Sequence, residues 1–332
     1  MTKRNQQVGI TGTGSYVPDQ VVTNEDMMKI VDTSDEWIVS RSGIRERRKI
    51  DPADATSDMA TRAARKAILK AGIQPDDLDL IIVGTATPDT LFPSTACIVQ
   101  NNLKAGKAAA FDLSAGCTGF IYSLTVGAQF IAAGLYKNVL VIGADALTRV
   151  TNYTDRNTCV LFGDGAGAVV LQAVKEDEGF LAFDLGADGS GGDVLCMPAG
   201  GSRKPASYET VDQHGHQIYM NGKEVFKFAV KVLGETAVKS MKEAGLTIED
   251  IDKLVPHQAN LRIIESAVKR LGIQSDKVAV NIDRYGNMSN ACIPVAIDEE
   301  YRAGRIKKGD NVLLISFGAG LTWGSCIIKW SI

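Results

Sequence analysis

Short runs of Val, Ile and Leu, each bounded by Gly, Pro or Asp, recur at VGITGTGSYV (8–17), LDLIIVGTAT (78–87), AAAFDL (108–113), NVLVIGA (138–144) and AGAVVLQ (166–172). They are too short for buried helices of ordinary length and rich in β-branched residues, so they predict strands. Other stretches carry the helical period. MATRAARKAILKAG (59–72) and VFKFAVKVLGETAVKSMKEAG (225–245) predict helices closing on Gly72 and Gly245, and LRIIESAVKRLG (261–272) predicts one that Asn260 caps. Strands alternating with helices predict an α/β fold of layered sheets and helices.

Residues 113–136 carry no charge. The stretch is long enough to cross a membrane, but Ser, Thr, Gln and three glycines dilute CTGFIYSLTVGAQFIAAG (117–134). A helix apolar all round is otherwise the buried centre of a large domain, and burial is the expectation.

The pattern also repeats over a long range. KAILKAGIQPDDLDLIIVG (66–84) matches KSMKEAGLTIEDIDKLVPH (239–257) at an offset of 173, with Ala71, Gly72, Asp77 and Asp79 falling on Ala244, Gly245, Asp250 and Asp252. NVLVIG (138–143) falls on NVLLIS (311–316) at the same offset; between them Ala133 and Gly134 fall on Ala303 and Gly304 at 170. Three ordered matches imply two similar halves, 1–174 and 175–332. If they pack about a pseudo-twofold axis, their helix starts meet near its centre. Cys117 falls on Asn287 at 170, and the two would face each other as unlike occupants of equivalent positions.

Composition narrows the class. The chain has 332 residues, 45% hydrophobic and 23% charged, which suits a globular protein with an ample core. At about 150 residues per domain the length suggests two domains, which the repeat turns into related halves of one unit. A net charge of −3 argues against general nucleic-acid binding. The opening MTKRNQQVGI lacks the apolar segment of a secretory signal. Six cysteines without a CxxC argue against a disulfide framework or zinc knuckle, so a cytoplasmic protein is expected.

Five of those cysteines, at 97, 159, 196, 292 and 326, read as small buried hydrophobes. Cys117 differs: SAGCTG places small residues on both sides of it at the head of the uncharged helix. A helix N-terminus favours thiolate, the reactive form. Among three histidines, His214 and His216 lie in a polar segment with no third ligand nearby and read as a solvated loop. His257 follows the apolar run DKLVP, at the strand end where α/β proteins place their sites, and is open between a core hydrogen-bonding role and chemistry.

Two rival motifs fail. Gly12 and Gly14 begin like a dinucleotide fingerprint, but Val17 takes the third glycine's place and Pro18 follows where a helix should start. The glycines of GDGAG (163–167) lead into a strand, not a helix. The order Cys, His, Asn and the Cys117–His257 separation of 140 suit a papain-like peptidase, yet AGCTG is not that family's cysteine motif and the duplication is foreign to it.

Six ordered blocks closely resemble the β-ketoacyl-acyl carrier protein synthase III family: DTSDEWIVSRSGIRERR (32–48), SAGCTGF (114–120), FGDGAGAVVL (162–171), VPHQANLRII (255–264), RYGNMSNA (284–291) and SFGAGLTWGS (316–325). The resemblance implies a thiolase-like fold, two βαβαβ-type halves layered α-β-α-β-α. It implies a decarboxylative condensation of a short acyl-CoA, acetyl-CoA by default, with malonyl-acyl carrier protein, with no metal or redox cofactor. The catalytic set carries over to Cys117, His257 and Asn287; asparagine in third place separates this class from chain-elongating synthases and thiolases, although chalcone-synthase-like enzymes share it. The oxyanion donors carry over to the N–H groups of Cys117 and Ala319.

The substrate-binding positions implied are Trp37, Arg41, Phe92, Arg156, Phe226 and Asn260. Trp37 and Arg156 match an adenine sandwich, and Phe92 matches an aromatic that crosses a homodimer interface. Lys223 stands where the family pattern has asparagine, which puts that pantetheine contact in doubt. Lys227, Arg262, Lys269 and Arg270 form a candidate basic patch for an acidic carrier protein, against the ordinary reading of a solvated face. Neither nucleic acid nor membrane is an expected partner, and the choice of primer is left to pocket shape.

Overall fold

Capping chemistry sets the helix ends somewhat differently from the apolar period. The structure, a computed structural model, describes residues 6–332. The helix expected from residue 59 begins at Thr56, because the Asp58 carboxylate accepts from the Ala55 N–H at 2.8 Å. The one expected from 225 begins at Gly222, capped by Asn221, and ends as expected on Gly245, whose φ of 69° lies in the left-handed region that lacks a penalty only for glycine. Asn260 caps its helix by accepting from the Arg262 N–H at 2.9 Å.

In chain order the elements are β1 (Val8–Tyr16), β2 (Gln20–Thr23), α1 (Asn24–Met28), α2 (Asp35–Ser42), β3 (Glu46–Lys49), α3 (Thr56–Lys70), β4 (Leu80–Gly84), α4 (Thr95–Leu103), β5 (Ala109–Leu113), α5 (Gly119–Ala132), β6 (Val139–Ala146), α6 (Arg156–Cys159) and β7 (Asp164–Ala173). They continue with β8 (Gly179–Ala187), β9 (Leu195–Cys196), α7 (Tyr208–Asp212), β10 (Tyr219–Met220), α8 (Gly222–Ala244), β11 (Lys253–Pro256), α9 (Leu261–Leu271), α10 (Ile282–Tyr285), α11 (Cys292–Arg302), β12 (Asn311–Gly318) and β13 (Thr322–Lys329). Strand β4 stops well short of the expected residue 87. There Thr85, Ala86 and Thr87 turn inward to donate to the buried Asp145 carboxylate.

One sheet runs β1-β7-β6-β4-β5 and the other β8-β13-β12-β11, the same order without a fifth strand. In the first, β6-β4-β5 are parallel and β7 and β1 antiparallel; in the second, β11 and β12 are parallel and β13 and β8 antiparallel. A single parallel bridge, Leu254 to Val278, stands where β5 would be. The residues that matched in sequence do matching work. Asp79 Oδ2 accepts the Asn138 N–H at 3.0 Å while Asn138 Nδ2 donates to the Asp77 carbonyl at 2.8 Å. Asp252 and Asn311 repeat both bonds at 2.9 Å, the second to the Asp250 carbonyl. Each pair fixes the register of two parallel strands, which explains why the repeat is legible there.

The sheets lie face to face with α5 and α11 between them, α3 and α4 on one outer face and α8 and α9 on the other. This is the α-β-α-β-α layering of the thiolase fold. The uncharged stretch is indeed central: Phe120, Ile121, Leu124 and Ile131 of α5 are buried among residues of both sheets. Each contributes about 1.5–3 kcal/mol relative to exposure. No helix among the described residues is long and apolar enough to cross a membrane. The cysteines divide less cleanly than expected. Cys159, Cys292 and Cys326 are buried, but Cys196 is half-buried and Cys97 is exposed, because it lies on the outer side of α4 beside Ser94 while Thr95 and Ala96 of the same turn point inward.

Candidate active site

The loop of residues 114–118 joins β5 to α5 and is held by strands of the other half. Thr322 Oγ1 of β13 donates to the Ala115 carbonyl at 2.9 Å, and Ser316 Oγ of β12 donates to the Cys117 carbonyl at 2.9 Å. Contact is this close only because the facing residues lack side chains. A Cβ on Gly318 would lie 2.4 Å from the Cys117 nitrogen, and one on Gly116, at φ 54°, would lie 2.7 Å from the Ala319 nitrogen. The N–H groups of Cys117 and Ala319 both approach Sγ. Burial pushes the Cys117 thiol up to about 11; the Ser289 hydroxyl opposes this, the Asp145 charge adds to it, and the two N–H groups also oppose it.

Asn287 is held in the reciprocal way, by the first half. Its N–H donates to the Leu161 carbonyl at 2.8 Å and its carbonyl accepts from the Gly163 N–H at 3.0 Å. Gly163 permits this, since a Cβ there would sit 2.3 Å from the Tyr285 carbonyl oxygen. Asn287 Oδ1 accepts the Ser289 N–H at 2.8 Å, which orients the side-chain NH2 group towards the cavity.

His257 follows β11, its N–H continuing the ladder to the Ile315 carbonyl at 2.8 Å. The ring stands edge-on to Phe317 with centroids 5.7 Å apart. Neither ring nitrogen has a hydrogen-bond partner among the described residues. Burial holds the imidazole down to about 3, so it is neutral and carries one N–H for a ligand.

Cys117, His257, Asn287 and Ala319 line one cavity of about 1100 Å³, as do Trp37, Arg41, Lys223, Phe226, Asn260 and Arg262. The first four occupy its inner end; Arg41, Lys223 and Arg262 are exposed at the outer one. Asn260 links the outer end to α2 by donating to the Arg41 carbonyl at 2.9 Å. The Arg41 and Arg156 guanidinium groups lie 4.8 and 5.0 Å from the Trp37 ring centroid, and Arg156 also donates to the Asp32 carbonyl. Arg156 and Phe92 do not line this cavity. Phe92 is 85% exposed beside the equally bare Leu91, so it is not core in this chain. Lys227, Arg262, Lys269 and Arg270 are exposed, but Arg270 lies across α8 to Glu235 at 3.6 Å, which takes part of its charge from the patch.

Three residues not singled out from the sequence complete the site, two of them inside the RYGNMSNA block. Asp145 is wholly buried in β6. Its Oδ1 gathers the 85–87 turn, and its Oδ2 accepts from Asn290 through N–H and Nδ2 at 3.0 and 2.8 Å. Asn290 Oδ1 in turn accepts the Phe120 N–H at 3.1 Å, capping α5 from the other half. Ser289 donates its hydroxyl to Cys117 Sγ at 3.4 Å. The helix starts of the two halves therefore do meet.

Family models for 3-oxoacyl-[acyl-carrier-protein] synthase III match residues 111–189 and, for its C-terminal part, 241–330. The chain is 60% identical to the β-ketoacyl-[acyl-carrier-protein] synthase III of Caldanaerobacter subterraneus subsp. tengcongensis over 97% of its own length and 98% of that protein. To the protein of that name from Desulfitobacterium hafniense it is 58% identical, covering 98% of each. The solved structure of the Thermus thermophilus synthase III superposes with a TM-score of 0.91 at 47% identity, over 97% of this chain and 99% of that one.

Proposed function

Because the chain belongs to the β-ketoacyl-acyl carrier protein synthase III family, we propose that Cys117, His257 and Asn287 carry its condensation of a short acyl-CoA with malonyl-acyl carrier protein. The chain is an acyltransferase that initiates fatty acid synthesis. The observation that carries the residue assignment is the convergence of a thiol, a neutral imidazole and a free amide at the inner end of one cavity.

In the first half-reaction the Cys117 sulfur attacks the acyl-CoA carbonyl. The new S–C bond replaces the bond to CoA, and CoA leaves as thiol with the proton from Cys117. The N–H groups of Cys117 and Ala319 receive the oxyanion. In the second, malonyl-acyl carrier protein loses carbon dioxide and its electron pair moves onto the thioester oxygen. The single N–H of neutral His257 and the NH2 group of Asn287 donate to that oxygen. The carbanion then attacks acyl-Cys117, the S–C bond to Cys117 breaks, and 3-oxoacyl-carrier protein leaves. The negative charge of the malonyl carboxylate ends on the departing Cys117 thiolate, which takes up one proton from solvent to restore the thiol and close the balance.

Trp37, Arg41, Phe226 and Asn260 line the outer channel, Arg156 lies beside it on the Trp37 ring, and all five are assigned to the CoA and pantetheine arms, with the adenine against the Trp37 ring. Arg156 now lies against that ring, so adenine binding displaces it. Lys227, Arg262, Lys269 and Arg270 are assigned to the carrier protein. The exposed Phe92 supports a homodimer in which it reaches a second copy's cavity. Residues 1–174 and 175–332 are taken as the two halves, each supplying one sheet, and the protein as cytoplasmic.

Acetyl-CoA, branched and longer acyl-CoA primers, each assayed with malonyl-carrier protein, test this reading. At least one short primer should yield 3-oxoacyl-carrier protein; no product from any of them would sink it. Gly318→Ala should slow acyl transfer to Cys117 more than about tenfold, because its methyl group displaces the Cys117 backbone from the oxyanion donors. Rapid-quench mass measurement of the adduct gives the rate, and an unchanged rate would refute the close-approach argument.

A further inference from the structure

We propose that the Ser289 hydroxyl is a catalytic hydrogen-bond donor to the Cys117 sulfur, and that the same residue's backbone positions Asn287. This rests on the functional reading above and adds a fourth residue to it. Ser289 is 2% exposed, and its Oγ lies 3.4 Å from Sγ. Its own oxygen is already engaged: Asn290 Nδ2 donates to it at 3.4 Å, and that Nδ2 is set by the Asp145 carboxylate at 2.8 Å. The orientation of the Asn290 amide follows from its Oδ1, which accepts the Phe120 N–H. With Oγ accepting from Asn290, its proton is directed at the sulfur.

The backbone points the same way. Ser289 has φ 48°, left-handed backbone that residues with a side chain adopt rarely. Such outliers persist where surrounding structure holds them and concentrate at functional sites. Here the conformation lets one residue reach two partners at once, the sulfur through its hydroxyl and Asn287 Oδ1 through its N–H at 2.8 Å. The titratable groups around the sulfur are Asp145 of β6, His257 beyond β11 and Cys292 of α11, and among the described residues none is hydrogen-bonded to it. Asp145 acts against the thiolate, so a neutral donor standing between that carboxylate and the sulfur has a defined task.

The test uses Ser289→Ala and Ser289→Gly in the full chain. Glycine adopts the left-handed backbone freely, so it removes the hydroxyl while keeping the N–H in place. Iodoacetamide alkylation, followed on the peptide carrying Cys117 between about pH 7 and 10, should slow about tenfold in both variants, a one-unit upward displacement of the profile. Acetylation by acetyl-CoA should slow by a similar factor, while decarboxylation of malonyl-carrier protein is retained because Asn287 keeps its partner. Unchanged alkylation in both variants overturns the proposal, as does a change in the alanine variant alone, which would trace it to the backbone. Parallel loss of decarboxylation in both variants also overturns it. If the unsubstituted protein forms no acetyl adduct, the functional reading fails while the alkylation comparison still decides the role of Ser289.

Discussion

Cys117→Ser should abolish the covalent acyl adduct and lower turnover by at least about 10³-fold, the scale on which loss of a nucleophile acts when its partners work as a unit. The unsubstituted protein, incubated with a short acyl-CoA and weighed intact, should gain one acyl group; the serine variant should gain none. An adduct of equal yield in both would place the nucleophile elsewhere. The thiol's environment adds a pH signature. With the thiol pushed up to about 11, the reactive thiolate is the minor form at neutral pH. Below that value its fraction rises about tenfold for each unit by which the pH increases. Alkylation of Cys117 in the free protein should therefore climb through pH 8 and 9 without a plateau. A plateau near pH 7 would mean that helix α5 and the nearby N–H groups outweigh burial.

His257→Ala and Asn287→Ala should separate the two half-reactions. Each variant should still take up an acyl group, yet lose decarboxylation of malonyl-carrier protein by about 10²–10³-fold, the usual cost of one donor to a developing oxyanion. The double variant should lose little more than the worse single one, because both donors serve the same oxygen. Labelled carbon dioxide release measures this directly, and full release from both single variants would remove them from the enolate site. Burial holds His257 near 3, well below an ordinary imidazole at about 6.5. The ring therefore stays neutral across about pH 5 to 8, and the decarboxylation profile should show no inflection near 6.5; one that vanished in His257→Ala would contradict this. The unfolded chain binds that proton more readily. Burying His257 thus costs stability as pH falls below about 6.5 and costs none above it.

Much of the architecture was legible in one dimension because it rests on local periodicity. The β-branched runs at 80–84, 139–146 and 164–173, the N-cap Asn260 and the terminator Gly245 each act within a turn or two of chain. The duplication was legible because Asp79 with Asn138, and Asp252 with Asn311, set strand register by the same bonds in both halves. Element ends were less secure. Strand β4 stops at Gly84 because a carboxylate sixty residues away captures the next three residues. Cys97 read as core but is exposed, since its sequence neighbours do not reveal which way α4 turns its third residue.

The chain order of Cys117, His257 and Asn287, the small residues around each, and their place at strand or helix ends belong to the sequence. They follow from chemistry confined to a few neighbouring residues. Folding settled how the three are held and who helps them. The 114–118 loop hangs on β12 and β13, Asn287 hangs on the 161–163 segment, and Asp145 joins the two through Asn290. Ser289 touches the sulfur across 172 positions of chain. Such contacts leave no periodic trace, because what selects a side chain there is the shape and charge of a pocket built jointly by two distant halves.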